Sequence, residues 1–219
     1  KKDLAEKTSI FITEGDSASG TITKARNAET QAVFSLRGKP INCYKESRKR
    51  VAENEELNLL INALGLEDDI ENLRYKNIIV ATDADDDGMH IRMLVLTFFM
   101  KYYPDLIRRG HVYILQTPLF RVKNKKEVRY CYNIEEKDKA VSAMKTGVEI
   151  TRFKGLGEIS SNEFEDFIGE SMRLDKVKLS DEESIAEIME FYMGDNTIDR
   201  QNFIRQHLRS EAELEDVNI

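Results

Sequence analysis

Short apolar, β-branched runs recur through the first half of the chain, each followed by a segment with helical spacing. Ser9-Ile10-Phe11-Ile12-Thr13, Gln31-Ala32-Val33-Phe34-Ser35-Leu36, Asn77-Ile78-Ile79-Val80-Ala81 and His111-Val112-Tyr113-Ile114-Leu115 read as strands. Small residues after Glu14 open a helix to about Ala28. Leu57, Leu60, Ile61 and Leu64 share one helical face behind a cap at Asn54, and Gly65 ends that helix. Met93 to Met100 is apolar except for Thr97 and reads as a buried helix. Four strands alternating with helices predict an α/β domain over residues 1–118. Its core would be an open, parallel four-stranded sheet with helices on both faces.

After Thr117-Pro118 the rhythm changes, and residues 119–219 read as an α+β tail. Phe120 to Asn133 alternates around Lys123-Asn124-Lys125 as a hairpin, followed by a helix over Glu135–Lys145 and a strand over Val148–Phe153. Lys154-Gly155-Leu156-Gly157-Glu158 is a tight turn whose glycines read as structural. The remainder reads as helices over about 160–170, 181–193 and 197–208, and the final ten residues as frayed.

The candidate chemistry sits where the third strand ends. Asp83, Asp85, Asp86 and Asp87 place four carboxylates within five positions, just before the apolar helix. Along extended backbone Asp83, Asp85 and Asp87 can face one way. Such carboxylates repel one another unless a cation lies among them. All-oxygen ligands suit Mg²⁺ or Ca²⁺ better than zinc. Asp-x-Asp-x-Asp-Gly also opens an EF-hand loop, but loop position twelve, which needs glutamate, is Leu94, and a strand rather than a helix precedes it. A solvated acidic turn is the plainer alternative. Glu14 lies at the end of the first strand, and open α/β sheets bind ligands at such ends. If strands one and three are neighbours, Glu14 joins the aspartates.

Composition narrows the classes. With 219 residues, 41% hydrophobic and 33% charged, the chain fits a soluble globular protein. No apolar run reaches the length of a membrane span, and no signal peptide opens the sequence. Cys43 and Cys131 match no metal spacing and fit a reducing, intracellular setting. A start at Lys1-Lys2-Asp3 leads us to expect a fragment of a longer protein. The net charge of −7 speaks against nucleic acid, yet Arg37, Lys39, Lys45, Arg48, Lys49 and Arg50 form a local basic patch offset only by Glu46.

Glu14-Gly15-Asp16-Ser17-Ala18, Leu36-Arg37-Gly38-Lys39, Asp83 through Arg92, Gly110-His111-Val112-Tyr113, Thr117-Pro118-Leu119 and Lys154-Gly155-Leu156-Gly157-Glu158 occur in that order. In this the chain resembles the TOPRIM region and carboxyl-terminal tail of bacterial type IIA topoisomerase B subunits, those of gyrase and topoisomerase IV. Departures are Ser19 where the family has glycine, Ser35 where it has proline, and Ile159-Ser160-Ser161 where Met-Asn-Pro is common. None touches a carboxylate. The large insertion some gyrase subunits carry after the position of Pro118 is absent, and Asp199-Arg200-Gln201-Asn202 leans toward topoisomerase IV.

The resemblance implies a Rossmann-like TOPRIM fold and two Mg²⁺ per site. Glu14, Asp83 and Asp85 would be catalytic ligands and Asp87 a supporting one. It implies Lys39, Asn42 and Arg37 as DNA contacts, with Asp16 and Arg37 near the positions tied to quinolone-type drug response. His90 and Arg92 would orient the acidic turn or touch DNA. Double-stranded DNA and the A subunit, which carries the nucleophilic tyrosine, are the implied partners in an A2B2 assembly. ATP would act only through an amino-terminal domain not in this chain, and the setting would be the nucleoid-bearing cytoplasm, with no membrane. A TOPRIM-class nuclease or primase, or a non-catalytic module binding divalent cations, are the rival readings.

Overall fold

The computed structural model describes residues 6–179 and 182–207. The expected strands form: β1 (Ser9–Glu14), β2 (Gln31–Leu36), β3 (Asn77–Ala81) and β4 (Val112–Gln116). Between them lie α1 (Gly15–Ala25), α2 (Arg48–Glu53), α3 (Glu55–Leu64), α4 (Asp86–Tyr102) and the short α5 (Pro104–Arg108). Asn54 caps α3 through a bond from the Leu57 amide, and Gly65 closes it at φ 76°, a left-handed conformation that glycine adopts without a Cβ clash.

The sheet corrects the sequence reading in one respect. It has five strands in the order β2-β1-β3-β4-β8. The first four are parallel, and β8 (Arg173–Lys176) pairs antiparallel with β4 along Tyr113–Gln116. In Arg173-Leu174-Asp175-Lys176 only one residue is apolar, so no periodicity announces the strand. A short, charged edge strand of this kind protects a sheet margin from stray pairing.

Phe11 and Ile79 point to one face, where Ala18 and Ile22 of α1 meet Leu156, Phe164, Phe167 and Ile168. The pleat sends Ile10, Ile12, Ile78 and Val80 to the other face. These four are fully buried or nearly so. Burial at about 25 cal/mol per Å² of apolar surface makes this layer the main stabilising term.

The tail hairpin also forms. β5 (Phe120–Lys123) pairs with β6 (Val128–Cys131) and with β7 (Glu149–Arg152), and α6 (Ile134–Met144) packs on that three-stranded sheet. α7 (Ser161–Ile168) opens with a capping box between Ser160 and Glu163. It packs against α1, so this part of the tail completes the core.

One compact unit spans Lys1–Lys178 and a second Leu179–Ile219. In the second, α8 (Glu182–Met193) and α9 (Thr197–His207) are joined through Arg200, which donates to the carbonyls of Phe191, Tyr192 and Gly194 at 3.0, 3.2 and 2.8 Å. The last ten residues, expected to fray, lie outside the described residues.

Candidate metal centre

β1 and β3 are direct parallel neighbours, with Thr13 opposite Ala81. Their ends therefore release Glu14 and the Thr82–Asp87 turn side by side, as the sequence required for a shared site. Asp85 caps α4, its Oδ1 accepting the Gly88 amide at 2.8 Å, and Asp86 and Asp87 fill the first helical turn. Helix entry brings an acidic residue beside unpaired N–H groups, which favours negative charge. Gly88 is buried against the backbone of Asp83, where a side chain would collide. Arg92 Nε donates to Thr82 Oγ1 at 3.2 Å, which ties the helix to the start of the turn.

Each carboxylate has a distinct environment. Asp83 is half-buried, and its Oδ1 accepts the Leu156 amide at 2.8 Å. Burial pushes the Asp83 carboxyl above the usual range, opposed by that amide and helped by Asp85 and Glu158. Glu14 Oε2 is buried with no hydrogen-bond partner among the described residues. Burial raises the Glu14 carboxyl too, and Asp83, Asp85 and Asp87 push it further, with Lys39 in opposition. Asp87 is exposed and bonded to Lys39 at 2.6 Å, which holds its carboxyl below the usual range.

This arrangement suits a hard divalent cation. An orphaned, partly desolvated oxygen facing a cluster of like charges is relieved by positive charge, and all the donors are oxygens. Among the described residues no three His, Cys, Asp or Glu side chains stand close enough to grip an ion unaided. Mg²⁺ keeps several of its waters and takes only one or two carboxylates, so the donor set fits it better than it fits a metal needing a full protein cage.

The remaining sequence candidates occupy the adjoining loop. Arg37 is exposed at the end of β2, and its amide donates to Glu56 Oε2 at 3.2 Å. Lys39 reaches the acidic turn, while Asn42 Oδ1 accepts the Tyr44 amide at 3.1 Å. Asp16 is exposed in the first turn of α1.

Two features went unread in the sequence. Lys101, near the end of α4, donates to the carbonyls of Cys43 and Glu46 at 3.1 and 2.8 Å and to that of Tyr44, pinning the basic loop to the helix. A single cation closing an apolar helix was its only trace. The Leu156 amide on Asp83 is the other, and a backbone N–H has no side-chain signature.

A family profile described as "Toprim domain" matches residues 9–117, and one described as "DNA gyrase B subunit, carboxyl terminus" matches residues 145–205. The chain belongs to the type IIA topoisomerase B-subunit family. It is 55% identical over 205 residues to the B subunit of DNA topoisomerase 4 from Borreliella burgdorferi, covering 93% of this chain and 34% of that protein. It is 40% identical to the B subunit of DNA gyrase from Thermus thermophilus, covering 96% of this chain and 35% of the relative. The chain thus spans about a third of the length of these relatives. A crystal structure of the Plasmodium falciparum topoisomerase II DNA-binding, cleavage and re-ligation domain shares the fold, with a TM-score of 0.79 at 23% identity, over 94% of this chain and 30% of that one. No described helix is long and apolar enough to cross a membrane.

Proposed function

We propose that this chain is the Mg²⁺-binding half of a DNA cleavage–religation centre in a type IIA topoisomerase, with residues 1–118 carrying the metal site and 119–219 serving as its tail. The observation that supports this most is the convergence of Glu14 and Asp83 at the ends of neighbouring strands, with Glu14 Oε2 left unpartnered among the described residues.

In this reading Glu14 and Asp83 would hold one Mg²⁺, Asp83 and Asp85 a second, and Asp87 would support the set. Bound there, the two ions would stabilise charge on the leaving 3′ oxygen of DNA and anchor a neighbouring phosphate. Glu14 would also take the proton from the 3′ hydroxyl during religation. Lys39, Arg37 and Asn42 hold phosphates in register without reading bases. The attacking tyrosine comes from the A subunit of an A2B2 assembly, and ATP acts through a region of the longer protein outside these residues. The working setting is the nucleoid of the cytoplasm. The 55% identity to a topoisomerase 4 relative, against 40% to a gyrase relative, favours a topoisomerase IV-like activity.

The test joins this chain to the ATPase region of its full-length protein and mixes it with the A subunit, supercoiled DNA and Mg²⁺. Trapped cleavage complexes should form and should vanish in Asp83→Ala. Cleavage by the isolated chain would favour the nuclease reading, and metal binding with no cleavage under any partnering would favour the non-catalytic one. ATP-driven negative supercoiling by the full enzyme would replace the topoisomerase IV assignment with gyrase.

A further inference from the structure

The turn Lys154–Glu158 touches both strand ends that carry the candidate ligands. On the β3 side, the Leu156 amide donates to Asp83 Oδ1 at 2.8 Å, and the Ala84 amide donates to the Lys154 carbonyl at 3.0 Å. Gly155 lies against the same carboxylate: a Cβ there would sit 2.9 Å from Asp83 Oδ2. Its φ of −124° is ordinary extended backbone, so glycine is needed at this position for close approach and not for conformation. On the β1 side, a Cβ on Gly157 would collide with Ser17 Oγ and stand 3.2 Å from Ser17 Cβ, three residues beyond Glu14.

The turn is itself held from behind. Glu158 Oε2 accepts the Lys154 amide at 2.9 Å. Leu156 and its neighbours Phe153 and Ile159 are buried in the core that holds Ala18 and Ile22 of α1. Glu163, just after the turn, accepts Arg121 at 2.8 Å, Tyr130 at 2.6 Å and the Ser160 hydroxyl at 2.7 Å, joining α7 to the tail hairpin. The turn is therefore a rigid piece wedged between two strand ends whose own pairing stops at Thr13 and Ala81.

We propose that the Gly155-Leu156-Gly157 wedge is a positioning element that fixes the Asp83 carboxylate and the gap between Asp83 and Glu14, and thereby sets the affinity of the site for divalent cations. This rests on the metal reading above. One Asp83 oxygen is occupied by the amide and the other, Oδ2, lies against Gly155, so the turn bounds both oxygens that an ion would have to reach. Groups that orient a ligand from behind commonly control metal affinity by about 10- to 100-fold.

The experiment titrates this chain with Mn²⁺, read by electron paramagnetic resonance. Gly155→Ala should weaken Mn²⁺ binding about tenfold or more while circular dichroism stays native. Leu64→Ala, a core truncation remote in sequence from the turn, should lower the melting temperature yet bind within about twofold of the parent. Equal affinity in Gly155→Ala and the parent overturns the wedge alone. No Mn²⁺ uptake by the parent chain overturns the metal reading and the inference with it. Amide hydrogen exchange gives an arm independent of both metal and Gly155→Ala folding. The Leu156 amide should exchange slowly in the metal-free parent and at least about tenfold faster in Asp83→Ala. An unprotected Leu156 amide, or one indifferent to Asp83→Ala, overturns the wedge.

Discussion

Lys39 Nζ lies 2.6 Å from Asp87 Oδ1, so the loop after β2 is tied directly to the turn after β3. Both side chains are well exposed, and such a pair adds little stability. Its effect is on charge. A cation from the basic loop occupies the edge of the acidic cluster and opposes the upward push on Glu14.

Lys39→Ala should therefore tighten Mn²⁺ binding in the DNA-free chain, because a competing cation is gone. The same substitution should weaken binding to a short duplex and lower the salt-dependence slope by about one. Fluorescence anisotropy at several salt concentrations measures this. An unchanged slope would remove Lys39 from the phosphate contacts.

Glu14 and Asp83 both carry carboxyls raised by burial, so the folded chain holds their protons more tightly than the unfolded one. In metal-free buffer their contribution favours the fold at low pH and is lost as pH rises from about 4 through the raised folded values. Glu14→Gln should flatten that limb and stabilise the metal-free chain near neutrality by less than about 1 kcal/mol, since Glu14 is still partly wetted. Added Mg²⁺ should raise the melting temperature of the parent at neutral pH and raise that of Glu14→Gln by less, since the variant keeps only the Asp83–Asp85 pair. Thermal melts from about pH 4 to 8, taken as the difference between the two proteins, isolate these groups from the rest.

Glu163 behaves in the opposite sense. Burial alone would raise its carboxyl, but the Ser160, Tyr130 and Arg121 donors together hold it down at about 2. Its stabilisation is complete above the ordinary glutamate range and fades as pH falls toward 2. Glu163→Gln should cost about 1–3 kcal/mol near pH 7, and the gap should close near pH 2. Urea unfolding at the two pH values measures it.

Lys101→Met should free the loop that carries Lys39 and Asn42. Three loop carbonyls lose the ammonium, and those of Cys43 and Glu46 keep the Tyr102 hydroxyl, at a cost of about 1–3 kcal/mol in stability. Amide exchange should quicken over residues 43–46, and duplex binding should weaken although no phosphate contact has been removed.

The parallel strands were legible because each is a short apolar run, almost fully buried in β1 and β3 and partly so in β2 and β4, and the acidic turn because clustered carboxylates are conspicuous at a strand end. The adjacency of β1 and β3 was only a condition in the sequence, since periodicity does not state strand order. α4 begins at Asp86, well before the apolar run at Met93, because Asp85 caps it through the Gly88 amide. Arg173–Lys176 escaped notice for its lack of apolar alternation, and the Leu156 amide because main-chain donors look alike at every position.

β8 also decides where this protein can be cut. Its residues pair with Tyr113, Ile114, Leu115 and Gln116 of β4. A version stopped at Pro118 would leave that rim naked, offering its main-chain donors and acceptors to any passing strand. Clumping of such a truncation, beside a well-behaved product ending after Lys178, would trace solubility to the segment that covers the β4 rim and lays Phe164 and Phe167 on α1.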